Sequence, residues 1–443
     1  MRAWSSLSVR KNFPLIQRRQ HGVLAHNLKT FLPPRTTAII NTAELQSPAI
    51  DPCVLLASEL EYLRANLIEL LGSAHPTLHQ LARHYFADSS RQLRPLVVLL
   101  LSRATNGLGN GWEEKKWIAE YERVNGQQEE LDRPLTRSGV LNSCNTNMPD
   151  DLASFQSLFT LRTPRLIPKI PPLPPSHRMI HTPTLADPPV ILPTQIRLAQ
   201  LVEMIHVASS LHDDISNELH ASSDGAGNKL AILGGDFLLG RACTALSCLG
   251  DDEVVELVAT VIANTVEGTI WKAGNVGTRG IPVLTSPAQG WKRYLNQIYL
   301  GSVSLLAKAG RAAVILGGCK EGEIWKEIGY MYGLHIGFAN QLMRDIDAFE
   351  EESQNFNEGP TGPLLYAWED HSHLQPIIQR HFSEDGDVEH VRHTIQTSSG
   401  IERTRTLALK HAEKAREALR FLPDSDTKDA LKELTLRVVD RTC

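Results

Sequence analysis

The sequence predicts an all-α protein, a single helical bundle with a central cavity that is interrupted by one long loop. Three observations lead to this prediction. From Thr194 almost to the C-terminus, apolar residues recur with the helical period. No segment shows the alternation of apolar and polar residues that is typical of a strand. The stretch 105–193 has no sustained period and crowds ten prolines between Pro164 and Pro193.

The individual helices follow from this period in chain order. Before the loop, Ala57 to Gly72 carries leucines on one stripe, Leu78 to Phe86 forms a second helix, and an apolar helix ends near Ala104. Beyond the loop the predicted helices are 195–214, 228–249, 251–273, 286–316, 322–352, 385–398, 401–420 and 425–440. We therefore expect residues 50–443 to form one helical domain.

The interrupting segment 105–193 is predicted to be a disordered, proline-rich insertion. A structureless run of this length is otherwise uncommon inside a compact domain. Its richest part, 171–175, reads Pro-Pro-Leu-Pro-Pro and could be a polyproline II ligand for a groove. A passive linker is the simpler interpretation, and an error of the gene model within 107–157 stays open.

The first 40 residues differ in composition from the rest of the chain. No acidic residue precedes Glu44, whereas seven basic residues do: Arg2, Arg10, Lys11, Arg18, Arg19, Lys29 and Arg35. Such a leader resembles a mitochondrial transit peptide and lacks the apolar core of a secretory signal. We expect residues 1–40 to direct the chain to the mitochondrial matrix, the alternative being a merely disordered tail.

The composition of the 443 residues is that of a soluble globular protein, with 42% hydrophobic residues and a net charge of −5. Nothing in this balance indicates a nucleic-acid partner. No apolar run approaches the ~18 residues of a membrane span. We therefore expect no transmembrane segment, and a peripheral position at the inner membrane stays open.

A first acidic motif lies at the end of the helix 195–214. Asp213 and Asn217 are four residues apart and share a helix face, whereas Asp214 lies on another. Magnesium prefers charged oxygen ligands at near-octahedral geometry. A neutral amide at Asn217 supplies one carbonyl oxygen and no charge, so a cation site on this face is weakened.

A second acidic motif on the helix 322–352 contains Gln341, Arg344, Asp345, Asp347 and Ala348. Its same-face positions 344 and 348 hold an arginine and an alanine. The guanidinium is permanently charged. At ~4 Å and an effective dielectric near 20 it repels a metal ion by ~4 kcal/mol for each unit of metal charge. Asp347 and the acids that follow it could reach a metal only from other faces, and a solvated helix end is the simpler interpretation.

These motifs, together with the segments 202–206, 227–242 and 254–259, resemble the trans-polyprenyl diphosphate synthase family, which builds long isoprenoid chains for quinones. The similarity covers roughly 58–104 and 194–440. It implies an isoprenoid-synthase-type bundle in which two aspartate-rich helices bind an allylic diphosphate through Mg²⁺. The allylic bond ionises there, and isopentenyl diphosphate attacks the cation.

The resemblance implies that the isopentenyl diphosphate side is retained. Arg94 matches an arginine of the element that binds this substrate, and Arg91 keeps the charge of a family lysine. His206 matches the histidine that completes the site. Ala208 and Ser209 are small, which fits an open tunnel for a long product or simply close helix packing.

The allylic side has lost its cations. Where the family has an Arg-Arg pair, this chain has Ser222 and Ser223, and a family Lys-Thr pair is replaced by Gly301 and Ser302. A diphosphate carries several negative charges, so the cations that should meet it are missing.

One branch of the family shares this pattern, the "D-less" second subunits of decaprenyl diphosphate synthases. Its Asn-Glu-Leu and Ser-Ser-Asp-Gly segments match 217–219 and 222–225. The chain departs from that branch by retaining Asp213 and Asp214.

The expected function is therefore a non-catalytic or regulatory subunit of a heteromeric long-chain synthase that supplies the isoprenoid tail of ubiquinone. Such a chain requires no cofactor, and Mg²⁺ binds to its partner, a full-motif synthase in a heterodimer or heterotetramer. One alternative is a divergent synthase that works with Asp213, Asp214, Asp345 and Asp347, and another is a lipid-binding or scaffolding protein. The surplus of apolar residues on 228–273 predicts an interface there. The product length, the partner and the stoichiometry are not fixed by the sequence.

Overall fold

The computed structural model describes the chain in eight ranges: 50–71, 86, 93–124, 171–172, 190–218, 225–273, 284–351 and 359–441. Within them, the side chains of 68–71, 214–218, 225–227 and Ala273 are not described. All of these residues belong to one compact unit, Ala49–Cys443. The leader, the predicted helix 78–86 apart from Phe86, and Arg91, Ser222 and Ser223 lie outside the described residues.

The described ranges contain fifteen α-helices, one π-helical turn and one 3₁₀ turn. In chain order they are α1 Pro52–Leu55, α2 Ala57–Leu71, α3 Leu93–Thr105, α4 Trp112–Val124, α5 Pro193–Glu218, α6 Gly225–Ser247, α7 Asp252–Ala273, α8 Pro287–Ile298, the π turn Tyr299–Val303, α9 Ser304–Leu316, α10 Ile324–Glu350, α11 Gly362–Asp370, α12 Leu374–Gln379, α13 Asp387–Thr397, α14 Gly400–Ala418, the 3₁₀ turn Leu419–Phe421 and α15 Asp426–Asp440. No strand occurs among these residues. The predicted all-α fold is confirmed.

The centre of the bundle is α10, which packs against α9 on one side and α14 on the other. Glycines bring α9 and α10 into backbone contact. A Cβ atom at Gly310 would collide with the carbonyl oxygen of Gly329, and one at Gly333 would collide with that of Leu306. Because of these contacts, α9 and α10 form a close-packed pair. Helix α5 packs against α3, α6 and α9.

The prediction of a structureless 105–193 is wrong at α4. Of its residues only Trp112 is fully buried, so the helix has little of the apolar stripe that reveals a core helix in a sequence. Its position is fixed by distant contacts instead. The Gly111 amide donates to the Gly318 carbonyl oxygen at 2.9 Å, and Lys115 Nζ lies 3.4 Å from Asp251 Oδ2 at the start of α7.

The predicted single helix 286–316 is also divided. Between α8 and α9 the chain forms a π-helical turn, Tyr299–Val303. Short π-helical turns inside helices are rare and occur frequently at functional sites. This turn contains the position at which the family resemblance places a lysine.

Three helical segments of the described chain are long and apolar enough to cross a membrane by length and composition: Asn228–Ser247, Asp252–Lys272 and Pro287–Leu316. The expectation that no stretch approaches such a length is therefore wrong. Polar and charged residues interrupt each segment, so the apolar character is spread along the helix rather than gathered in one run. In the third segment 72% of the most apolar window is buried inside the protein, but in the first two only 39% and 22% are. Thus α6 and α7 carry apolar surface that the bundle leaves uncovered.

Candidate active site

The first acidic motif lies on α5 and faces α7. Asp213 is about one third exposed, and its Oδ2 lies 3.9 Å from Lys272 Nζ. Its Oδ1 lies 3.3 Å from the hydroxyl oxygen of Thr269. Both partners are on α7, so a cation and a hydroxyl of the chain itself stand beside the first aspartate of the motif. The side chains of Asp214 and Asn217 are outside the described residues.

The second motif, on α10, holds its first aspartate in a closed set of hydrogen bonds. Asp345 is 7% exposed. The Tyr294 hydroxyl donates to Oδ2 at 2.6 Å, Gln341 Nε2 donates to Oδ1 at 3.0 Å, and the Gly362 amide donates to Oδ2 at 3.2 Å. Burial raises the pKa of Asp345 above its ordinary value, although these donors oppose the shift. The carboxylate thus connects α8, α10 and the start of α11.

The other acidic residues of this motif are also paired. Asp347 forms an ion pair with Arg441, which follows the C-terminal end of α15. Glu350 Oε1 lies 3.7 Å from an amino group of Arg405. The interpretation as a merely solvated helix end is therefore wrong for Asp347 and Glu350, which connect α10 to the C-terminal helices.

Positions 344 and 348 do not offer metal ligands. Arg344 is exposed and its charge lowers the pKa of Asp345 slightly, against the effect of burial. Ala348 is half-buried and has no ligand atom. Among the described residues no group of three or more histidines, cysteines or acids has the arrangement of a metal site. The described side chains of the two motifs therefore do not fit magnesium.

The π turn brings the two motifs together. A Cβ atom at Gly268 of α7 would lie 2.7 Å from the Gly301 nitrogen, so the two backbones are in contact. The Ser302 hydroxyl oxygen lies 3.4 Å from Gln341 Oε1. Since Thr269 contacts Asp213, contacts run from α5 through α7 and the π turn to α10. The π turn and α7 thus connect the helices that carry the two motifs.

Gly301 stands where the family resemblance places a lysine. A Cβ atom built on it would have no neighbouring atom within 4 Å, and the residue is exposed. A side chain at this position would therefore have open space around it.

Of the three residues that the resemblance assigns to isopentenyl diphosphate, two lie in the described part of the chain. Arg94 lies in the first turn of α3 and is 9% exposed, and His206 is half-buried on α5, which packs against α3. The structure therefore places these two residues on neighbouring helices. Arg91 lies outside the described residues.

One buried polar pair was not anticipated from the sequence. His335 on α10 and His411 on α14 approach with their Nδ1 atoms 3.0 Å apart. Burial lowers the pKa of His335 to about 4 and that of His411 to about 3, and Lys414 contributes to both shifts. The helical period places each histidine on an apolar face, but nothing in the sequence shows that the two faces meet.

Comparison with solved structures identifies the class of fold. A decaprenyl diphosphate synthase from Rhodobacter capsulatus superposes with a TM-score of 0.58 and 20% identity, over 88% of this chain and 98% of that one. The bundle is thus of the isoprenoid-synthase type, and the two acidic motifs lie on its helices α5 and α10.

Sequence comparisons then identify the family. A polyprenyl synthetase model matches residues 184–395. The probable mitochondrial hexaprenyl pyrophosphate synthase of Neurospora crassa is 35% identical over 421 residues, which cover 92% of this chain and 84% of that protein. Decaprenyl-diphosphate synthase subunit 1 of Schizosaccharomyces pombe is 29% identical over 402 residues, covering 87% and 90%. The chain belongs to the polyprenyl synthetase family.

Proposed function

We propose that the chain is a non-catalytic or regulatory subunit of a heteromeric long-chain polyprenyl diphosphate synthase, akin to the D-less second subunits of decaprenyl synthases. The observation that carries this proposal is the state of the second motif. Asp345 is enclosed by three donors of the chain, and positions 344 and 348, which share a helix face, hold an arginine and an alanine. A metal ion there would have to displace those donors and tolerate a guanidinium.

The state of the first motif supports the same proposal. Lys272 stands beside Asp213 and supplies the positive charge that a metal would otherwise bring. Gly301 and Ser302 provide no cation for an allylic diphosphate. This chain then needs no cofactor, and Mg²⁺ works in the catalytic partner. Arg94 and His206, with Arg91, are residues with which it could still bind isopentenyl diphosphate.

The uncovered apolar face of α6 and α7 is the proposed contact with the partner. Ile232 and Leu233 are 43% and 53% exposed, and Val266 and Ile270 are 52% and 64% exposed. Val266 and Ile270 are four residues apart and lie on one face of α7. Exposed apolar residues concentrated on two packed helices are typical of an obligate interface. The name of the Schizosaccharomyces pombe relative, subunit 1, supports a heteromeric enzyme.

A mitochondrial location for this subunit has two independent supports. The leader is basic and free of acidic residues, and the Neurospora crassa relative is named as mitochondrial. The product of the complex would be the isoprenoid tail of ubiquinone.

A second candidate is a divergent synthase that is active by itself. The names of the relatives favour it, since both are synthases, and so does the retained pair Asp213 and Asp214. It requires Asp345 and Asp347 to leave their present partners when substrate and metal bind.

Co-expression distinguishes the two candidates. The chain and the full-motif synthase of the same organism are expressed singly and together, and polyprenyl product is measured with equal amounts of synthase. A subunit makes no product alone and changes the amount or length of product when its partner is present. Equal product from the synthase with and without this chain, and no co-purification, would remove the case for a subunit.

A further inference from the structure

Helix α4 presents an aromatic pair. Trp117 and Tyr121 are one turn apart, with ring centroids separated by 6.5 Å and the rings tilted by 40°. Both side chains are half-buried. Neither takes part in the site between α5 and α10, and the helix itself stands in the part of the chain for which no structure was expected.

One member of the aromatic pair, Trp117, contacts Pro171 of the proline-rich segment. The indole Nε1–H of Trp117 donates to the carbonyl oxygen of Pro171 at 3.1 Å, across 54 residues of sequence. Pro171 and Pro172 are exposed, and the sequence 171–175 reads Pro-Pro-Leu-Pro-Pro. A polyproline II helix makes no internal hydrogen bonds, so its carbonyl oxygens are available to a donor such as an indole. Aromatic-lined grooves recognise such segments in several protein families.

We propose that Trp117 and Tyr121 form a docking site for a proline-rich segment, and that its occupant is this chain's own pair Pro171 and Pro172. The contact attaches the middle of the insertion to α4. Helix α4 is in turn fixed to the bundle through Gly111 and Lys115. Because the segment is tethered to its site, its effective concentration is of the order of millimolar. The chain's own segment therefore outcompetes separate proline-rich peptides below that concentration.

Limited trypsin digestion of the full-length chain tests this docking. Lys169 lies two residues before Pro171 and is followed by isoleucine, so trypsin can cut there. We expect Trp117→Phe, which removes the indole donor, to raise the rate of cleavage after Lys169 about two- to tenfold, the factor given by one net hydrogen bond. The double variant Pro171→Ala/Pro172→Ala keeps the carbonyl oxygen and should raise the rate by a smaller factor, because alanine lacks the fixed φ that holds the segment extended. The matched control is Pro183→Ala in the same insertion, which should leave the rate unchanged. Cleavage after Arg137 serves as an internal reference.

A second measurement covers the case in which cleavage is limited by other parts of the loop. The indole N–H signal of Trp117 in a ¹⁵N-labelled chain is identified by its absence in Trp117→Phe. It should shift in Pro171→Ala/Pro172→Ala and stay in place in Pro183→Ala. An unchanged indole signal in Pro171→Ala/Pro172→Ala would overturn the proposal, whatever the cleavage rates are.

Discussion

At the residue scale, the burial and the hydrogen bonds of Asp345 indicate a structural role. The carboxylate is buried and receives hydrogen bonds from Tyr294, Gln341 and the amide of Gly362. A metal ligand needs lone pairs directed at the ion, whereas here three donors of the protein occupy them. We infer that Asp345 stabilises the junction of α8, α10 and α11.

Tyr294→Phe should destabilise the chain, because it removes the shortest hydrogen bond to Asp345. The loss of a hydrogen bond to a buried carboxylate lowers the free energy of unfolding by about 1.5–3 kcal/mol. Tyr299→Phe is the matched control, since its hydroxyl pairs with that of Tyr330 at 3.0 Å and neither is a carboxylate; it should cost about 1 kcal/mol. Urea unfolding measures both. Equal losses would show that Asp345 is not a structural centre.

The pair of His335 and His411 predicts a dependence of stability on pH. Both pKa values lie below the ordinary 6.5, at about 4 and about 3. Between those values and pH 6.5 the unfolded chain binds more protons than the folded chain, so stability is full above pH 6.5 and falls as the pH drops. From pH 7 to pH 5 the loss is about 2 kcal/mol for each imidazole.

The double variant His335→Leu/His411→Leu isolates this effect. It removes both partners together and leaves no unpaired buried nitrogen. Urea unfolding at pH 7 and pH 5 should show a smaller loss of stability in the variant than in the natural chain. Identical pH dependence in the two proteins would show that the histidines do not cause it.

At the scale of elements, the π turn and α7 form the connection between the two motifs. Gly268 and Gly301 are in backbone contact, but a side chain at Gly301 would point into open space. Gly301 therefore has room for a side chain, whereas Gly268 does not, although the two residues are in contact.

Gly268→Ala should destabilise the chain by about 1–3 kcal/mol, because its Cβ would lie 2.7 Å from a backbone nitrogen and the helices would have to separate. Gly301→Ala is the control on the other side of the same contact. It should be neutral or stabilising by about 0.4–1 kcal/mol, since it only reduces the entropy of the unfolded chain. Thermal unfolding compares the two, and the opposite order would contradict this packing.

The helices differ in how far the sequence predicts them. Between α5 and α15, the helical period of apolar residues predicted each helix that packs a long apolar face on the core. The all-α fold was predictable for this reason. Helix α4 has no such face, and α11 and α12 are short, so all three were missed. The sequence alone shows that positions 217, 344 and 348 hold no carboxylate, and their importance was inferred because residues i and i+4 share a helix face. The pairing of Asp213 with Lys272 and of Asp347 with Arg441 could not be inferred, since it depends on how distant helices pack.

For the whole molecule, the uncovered face of α6 and α7 determines its state in solution. We expect Leu233→Glu and Val266→Glu each to abolish co-purification with the full-motif synthase, since a charge in the core of an apolar interface loses its hydration. Lys229→Gln, at an exposed position of α6, changes the net charge by the same amount and should leave the complex intact. Pull-down followed by size-exclusion chromatography measures this. If the glutamate variants still bind the synthase, the face contacts something other than the proposed partner. The same conclusion would follow if, in a separate co-sedimentation measurement, the variants associate with lipid vesicles less than the natural chain does.

The central claim is that this member of the polyprenyl synthetase family has lost its own catalysis, and the most direct measurement is the activity of the purified chain alone. It is incubated with an allylic diphosphate primer, isopentenyl diphosphate and Mg²⁺, and polyprenyl product is counted per chain over many turnover times of a full-motif homologue. We predict little or no product, because Arg344, Ala348, Gly301 and Ser302 stand where the reaction needs ligands and cations. Multiple-turnover synthesis at a rate comparable to that of the homologue would contradict the account.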